Sequence, residues 1–398
     1  MMTSARTDRD PGSGIRDPIA SRTPDPASRV AIVHDWLTGM RGGEKVLEAI
    51  CELYPEATLY TLVHVRGSVT SRIERHRIRR SPIHWLPRAA DLYRNYLPLF
   101  PAAVELFDLD RYDLVISSSH CAVKSVIRPP GATHVCYCHS PMRYAWDQFG
   151  AYFGPDKVGP RRSRMLRPIL ARLARWDAAT AGRVDRFLAN SQYVAGRIRR
   201  YYNRGSAVVY PPVDTTFYRL PDPARREFEP SFLVVSALVP YKRVDLAMAA
   251  CQKARVPLKI VGRGPEEARL RQLAGPDVEF LGWRSDEEIR ELYQAATAVL
   301  LPGVEDFGMV PVEAQACGTP VVALGQGGAR ETVDDGVTGI LVGNDSIDGF
   351  ADGLTRALAA SFDPAVIRKR AERFSRERFL AGFQMAVDDA IVERSITR

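Results

Sequence analysis

The sequence predicts an α/β protein built from two parallel-sheet domains that face one another across a cleft. Three observations carry that prediction. Short apolar runs alternate with helical patterns along almost the whole chain, the rhythm of repeated βαβ units. At 398 residues the chain is long enough for two domains. Pro211 and Pro212 interrupt the rhythm near the middle and read as a stiff linker. The expected boundaries are 29–209 for the first domain, 210–375 for the second and 376–398 for a closing helix. Residues 1–28 are charged and proline-bearing without an apolar core. They are expected to form a disordered tail, neither a signal peptide nor a membrane span.

In the first domain an apolar strand at 29–34 runs into a turn holding Gly39, Gly42 and Gly43, then a helix over 44–53. The glycines do not form G-x-G-x-x-G, so no nicotinamide site is read here. They serve either a tight turn or the close approach of an anionic ligand. A second strand is expected at 57–65. The run from Arg72 to Arg80, followed by Trp85 and the apolar residues of 92–100, is read as a surface for anionic lipid, with a solvated helix–loop as the alternative. Strands at 113–120 and 134–139 end in polar residues where ligands gather, which makes His120, His139 and the segment through Arg143 to Trp146 candidates for substrate contact. A basic helix over 161–175 carries Leu166, Ile169, Leu170 and Leu173 at helical spacing, leaving its arginines outside. Strand 186–191 ends at Asn190 and Ser191, and Ser191 is placed to cap a helix at 192–201.

The second half repeats the pattern. Strand 232–236 leads to helix 244–254, strand 258–261 to helix 266–273, and strand 278–281 to a capping box of Ser285 and Glu288 that opens helix 286–296. Strands follow at 297–301, 320–324 and 339–342, then helices at 347–360, 364–374 and 376–393.

Composition narrows the function. The excess of 55 Lys+Arg over 47 Asp+Glu leaves a formal charge of +8, which permits anionic partners such as sugar nucleotides, lipid headgroups or nucleic acid without choosing among them. Six cysteines sit mostly in apolar runs, as free thiols do in a reducing compartment. Cys136-Tyr-Cys138-His139 lacks a second ligand pair at zinc spacing, so no metal is expected. No stretch reaches the ~18 apolar residues a spanning helix needs.

The chemistry centres on residues 301–323. Glu305 falls on the loop after strand 297–301, Pro311 suits the first turn of a short helix, and Gly318 follows its end. The backbone N–H groups near Phe307, Gly308 and Met309 open that helix and suit a phosphate. Lys242 and Arg243 follow strand 232–236 and offer cations to the same ligand. Gly262 and Gly264 would let a phosphate or planar group approach the backbone. Carboxylates for hydroxyls, beside cations and a helix N-terminus for diphosphate, describe a sugar-nucleotide site. A glycosidase pair would need carboxyls facing each other ~5–10 Å apart, whereas Glu313 lies down the helix and points elsewhere.

The motif Glu305-x7-Glu313, followed by Gly318-Thr-Pro-Val-Val, resembles the signature of retaining GT-B glycosyltransferases of family 4. Val261-Gly-Arg-Gly-Pro-Glu266, Phe280-Leu-Gly-Trp283, Gly42-Gly43 and Asn190-Ser191 resemble the same family. The stretches 34–37, 138–147 and 238–245 are similar to its O-antigen and exopolysaccharide mannosyltransferase branch. The resemblance implies two Rossmann-like domains, with the last helix crossing back to the first. It implies that Glu305, His139 and Lys242 form the catalytic set, Glu305 contacting the donor sugar hydroxyls. Asp306, Phe307, Gly308, Met309 and Val310 would present backbone N–H groups, and Glu313 would bind the ribose. Gly42 and Gly43 would allow close approach to the donor, while His120, Arg143 and Asn190 would stand on the acceptor side. Many relatives carry Arg where Ala237 stands, and Arg243 is expected to supply that charge. The implied reaction is a metal-independent, retaining hexosyl transfer without a cofactor. The best fit is mannose from GDP-mannose onto a lipid-linked saccharide, at an anionic membrane on the cytoplasmic side and without nucleic acid. A UDP-sugar donor, a sugar-nucleotide epimerase of the same fold, and a lipid- or nucleic-acid-binding module are the alternatives.

Overall fold

The computed structural model describes residues 29–222 and 231–396, and the expected tail at 1–28 lies outside them. The first sheet contains β1 (Val30–Leu37), β2 (Thr58–His64), β3 (Arg77–Arg80), β4 (Leu114–Ser119), β5 (Thr133–Cys138), β6 (Arg186–Ala189) and β7 (Ala207–Val208). All neighbours are parallel, in the order β3-β2-β1-β4-β5-β6-β7. The second sheet contains β8 (Phe232–Val235), β9 (Leu258–Val261), β10 (Val278–Gly282), β11 (Ala298–Leu301), β12 (Val321–Leu324) and β13 (Gly339–Val342). It too is parallel, in the order β10-β9-β8-β11-β12-β13. Each order reverses at one point, between β1 and β4 and between β8 and β11. Ligands of doubly wound sheets bind at such switch points, beyond the strands' carboxyl ends.

Burial on both faces explains the apolar strands. One face of the first sheet packs Val33, Trp36, Tyr93, Phe100, Leu170 and Leu173 together, and the other packs Ile32, Leu47, Ile50 and Leu59. The last helix, Arg376–Ile396, joins this second cluster through Phe379, Phe383, Val387 and Ala390. It therefore belongs to the first domain's core, as the resemblance implies. The chain crosses between domains twice, near Val213 and near Ser375. The crossings are joined by a parallel bridge and by the Val213 N–H donating to the Phe374 carbonyl at 3.0 Å.

The run from Arg72 to Arg80 is not the helix–loop that one sequence reading offers. It forms a short helix, Ser71–Glu74, and then β3, an edge strand. Ile78 is half-buried while Arg77, Arg79 and Arg80 stand in solvent, an arrangement that keeps an open sheet edge from pairing with another chain. Among the described residues, no helix is long and apolar enough to cross a membrane.

Candidate functional site

The two switch points face each other, and the side chains between them come from both domains. On the second-domain wall, β11 ends at Leu301 and the loop through Glu305 leads to the helix Met309–Ala316. Three glycines place that loop. A Cβ on Gly303 would strike the Tyr241 carbonyl, and one on Gly327 or Gly328 would strike the backbone of Glu305 or Phe307. The Gly328 N–H also donates to the Glu305 carbonyl at 2.8 Å. Sequence reading did not single out these three, although each sits beside a strand end. Glu305 is buried, and its Oε1 pairs with Nζ of Lys242. Burial and nearby Arg143 push the Lys242 amine down to about 7, against the pull of Asp306.

Glu313 is buried on the helix and addresses other partners. Its Oε1 accepts from Lys45 Nζ at 3.2 Å and its Oε2 from the Tyr293 hydroxyl at 3.1 Å. Lys45 belongs to the first domain's helix Gly42–Leu53, so this contact spans the cleft. Gly42 lies there too: a Cβ would come 3.2 Å from the Met309 sulfur. Gly42 and Gly43 thus occupy a close approach between domains.

Asp306 also joins the two domains. Its Oδ2 accepts from Arg143 Nε at 3.0 Å and its Oδ1 from Arg197 Nη1 at 2.8 Å, both from the first domain. Burial alone would raise its pKa, but the two guanidiniums bring it below the usual carboxylate value. The Ser191 hydroxyl donates to the Asp306 carbonyl at 2.6 Å while capping the helix Gln192–Tyr202. Glu331 of the second domain accepts from the Gln192 and Tyr193 N–H groups at the same helix start, at 2.8 and 3.0 Å.

The first-domain wall is built on β1 and β4. Asp35 is fully buried, and its carboxylate accepts four backbone N–H groups, from His120, Cys121, Ala122 and Val123, at 2.7–3.1 Å. It thereby fixes the loop after β4. His34, His120 and His139 gather here, with ring centroids 5.8–6.4 Å apart. Sequence analysis singled out His120 and His139 but neither His34 nor Asp35. The available signal was a pair of consecutive polar residues inside an otherwise apolar strand.

Several other candidates are engaged by partners within the protein. Arg143 is engaged by Asp306, and Asn190 Nδ2 donates to the His139 carbonyl at 2.9 Å, which steadies that residue. Arg243 extends to Asp345 at 3.1 Å and Asp245 at 3.6 Å rather than toward Lys242 and Glu305. A Cβ on Gly262 or Gly264 would strike the carbonyls of Ser236 or Leu238, so these glycines admit a neighbouring loop. The Phe307 ring is core, packed against Tyr210 and Phe374, which leaves only its backbone for a ligand. Gly308, at φ +87°, turns the chain into the helix, while Met309 and Val310 form its first residues and are half-buried.

Two family descriptions match consecutive parts of the chain: "Glycosyltransferase Family 4" over residues 40–217 and "Glycosyl transferases group 1" over 221–376. A D-inositol 3-phosphate glycosyltransferase of Mycobacterium avium is 32% identical over 244 residues, 53% of this chain and 57% of that protein. The Frankia alni protein of the same name is 36% identical over 182 residues, 38% of this chain and 44% of its own. The chain therefore spans about half the length of the curated relatives it matches. Among solved structures, Anabaena HepE in complex with UDP superposes with a TM-score of 0.65 at 21% identity, covering 93% of this chain and all of that one. The lipopolysaccharide outer core galactosyltransferase WaaB gives 0.60 at 20% identity, over 92% of this chain and 99% of its own. These likenesses establish the fold, two Rossmann-like domains in the GT-B arrangement.

Proposed function

We infer that this chain, a glycosyltransferase of family 4 and GT-B type, transfers a hexosyl group from a nucleotide-diphosphate sugar across the cleft between its switch points. The observation that carries the reading is the Lys242–Glu305 pair, a half-buried lysine and a buried carboxylate set at one strand edge beside the start of the helix Met309–Ala316. Glu305 would accept hydrogen bonds from the donor hydroxyls. Lys242 and the helix N-terminus would stabilise the charge that grows on the departing diphosphate. Glu313, now held by Lys45 and Tyr293, would bind the ribose. Transfer without a metal fits this set of groups, since the leaving group's charge is met by protein cations and N–H dipoles, and the resemblance adds retention. The resemblance favours mannose from GDP-mannose. A UDP-sugar is the second reading, supported by the UDP and UDP-glucose named with the HepE structures.

The acceptor in this reading is a lipid-linked saccharide, met at the cytoplasmic face of an anionic membrane. Exposed Trp85, stacked 5.0 Å from the Arg80 guanidinium, supports it, as do exposed Leu99 and Met165 on the same domain. Vesicles containing phosphatidylglycerol should sediment the wild-type chain. They should release a variant with Trp85 and the arginines of 161–175 replaced, and unchanged sedimentation would remove the membrane from the proposal.

A panel of GDP- and UDP-hexoses, assayed for transfer and hydrolysis, tests the donor. E305Q should lose activity on the order of 100- to 1,000-fold with its circular dichroism unchanged. Wild-type turnover in that variant would overturn the assignment, and an acceptor-independent change in the sugar nucleotide would favour an epimerase.

A further inference from the structure

Of the three residues expected on the acceptor side, two are already engaged. Arg143 is held by Asp306 of the other domain, and Asn190 is turned to the His139 carbonyl. His120 remains, half-buried against the buried Trp36 ring at 4.3 Å between centroids. The same ring carries a second group. Arg94, on the short 3-10 helix Tyr93–Leu99, sets its guanidinium carbon 6.0 Å from the Trp36 ring centre and 4.9 Å from that of Tyr93. Trp36 is the last residue but one of β1, so His120 and Arg94 both stand at the carboxyl edge of the first sheet. Arg94 is exposed, and among the described residues no carboxylate pairs with it.

Tyrosines complete its surroundings. The Tyr144 hydroxyl borders the guanidinium, and the Tyr144 and Tyr152 rings stand 4.8 Å apart. Tyr152 in turn meets Tyr241 of the second domain at 6.4 Å, so the patch runs from the first-domain edge to the opposite wall. Exposed Arg41 adds a charge close enough to act on His120, and it too lacks an ion-pair partner among the described residues. The carboxylates behind these rings do not neutralise either arginine. Asp35 is buried and answered by four backbone N–H groups, and buried Glu44 by the Arg41 N–H and His34. A guanidinium laid over aromatic rings keeps its N–H edge for an oxyanion, which it can meet with two parallel bonds. The rings fix its place before the ligand arrives, which lowers the entropy lost on binding.

We propose that Arg94 is an acceptor-binding residue that takes a phosphate group of the acceptor, its guanidinium held beside His120 by the Trp36, Tyr93 and Tyr144 rings. The assignment rests on the transfer reading and narrows its acceptor to saccharides that carry a phosphate. That phosphate belongs either to a lipid diphosphate carrier or to a soluble sugar phosphate, which share this chemistry and differ in what stands behind it. No bond to it changes in the reaction. The His139 ring lies 6.1 Å from His120, so the anion and the reacting hydroxyl would belong to one acceptor held along this wall.

Titration calorimetry on the full chain tests this with farnesyl diphosphate below its micellar concentration, glucose 1-phosphate, and octyl glucoside, which has no phosphate. The wild type should bind at least one phosphate probe. R94A should bind it roughly 10- to 100-fold more weakly, the scale of lost charge-assisted hydrogen bonds. R94K keeps the charge without the fork and should fall between the two, and it carries the comparison if R94A is unstable. Octyl glucoside should not distinguish the variants from the wild type. A loss confined to farnesyl diphosphate assigns the phosphate to a lipid carrier, one confined to glucose 1-phosphate assigns it to a soluble acceptor, and a loss for both supports phosphate itself as the recognised group. Phosphate binding that is equal in wild type and variants, as it would be for a probe seated in the donor site, overturns the proposal. So does a wild type that binds neither probe, or an equal loss for octyl glucoside. Calorimetry needs no turnover, so Arg94-dependent binding beside a donor panel without transfer would remove the transfer reading and keep the anion site.

Discussion

Asp306→Asn separates the energy of domain closure from that of folding. The Asp306 carboxylate pairs with Arg143 and Arg197, and the side chains are only 6%, 22% and 8% exposed. Removing one member of so buried a set costs about 3–5 kcal/mol, because the partners' charges are left uncompensated. Arg197 retains Asp147 at 2.8 Å, which places the cost at the lower end, about 3 kcal/mol. The aspartate lies in one domain and both arginines in the other. When the domains part, all three groups reach water and the cost disappears. The loss therefore falls on the closed state alone, roughly a 100-fold shift toward opening. Small-angle scattering should show a larger radius of gyration, and donor KM should rise by up to about 100-fold. The thermal unfolding of D306N should stay close to wild type. A compact D306N with unchanged KM, or one that loses folding stability instead, would refute the reasoning.

Three further outcomes are expected. Asp35→Asn halves the charged acceptor set for four backbone N–H groups and should cost about 3 kcal/mol in urea unfolding; an unchanged midpoint would show that the loop after β4 holds without it. His134 is buried and neutral, pushed down to about 4 by burial, with Nδ1–H donating to the Arg183 carbonyl and Nε2 accepting from Ser117. Because the unfolded chain binds that proton from about pH 6.5 downward, the stability is whole above pH 6.5 and is lost as pH falls toward 4, amounting to about 3 kcal/mol. Urea midpoints at both ends of that window should differ in wild type and converge in H134L. Gly328→Ala sets a methyl against the Phe307 backbone and shifts Glu305 without touching a ligand, so kcat should fall at least tenfold, on the scale of misplaced catalytic groups; wild-type kcat would show that the loop can yield.

Much of the fold was legible because its signals are local. The helix Val244–Ala254 and the strand β9 fall where the apolar pattern puts them, and the Ser285–Glu288 box opens its helix as expected. β3 was missed because three of its four residues are arginines, and a charged edge strand has the composition of a solvated loop. The site was legible in part. Glu305, Lys242 and His139 were singled out from their places at strand ends, and all three stand at the carboxyl edges of their sheets. Asp35 and Glu44 were not, since buried carboxylates announce themselves only through partners: Asp35 binds N–H groups 85 to 88 positions away. Gly262 and Gly264 show the converse limit. The same residue serves a ligand or a neighbouring loop, and only the loop's position distinguishes the two.

The double crossing at Val213 and Ser375 makes the connection between the domains a two-strap joint. One strap would let the domains swivel freely. Two straps lying side by side and bonded to each other permit bending about the line that joins them and resist torsion. Opening and closing then trace one arc, and each closure returns Glu305 to the same station opposite His139. Alignment of the cleft is in this sense set by two short pieces of backbone, with Tyr210 and Phe374 seated behind the second-domain wall against the Phe307 ring.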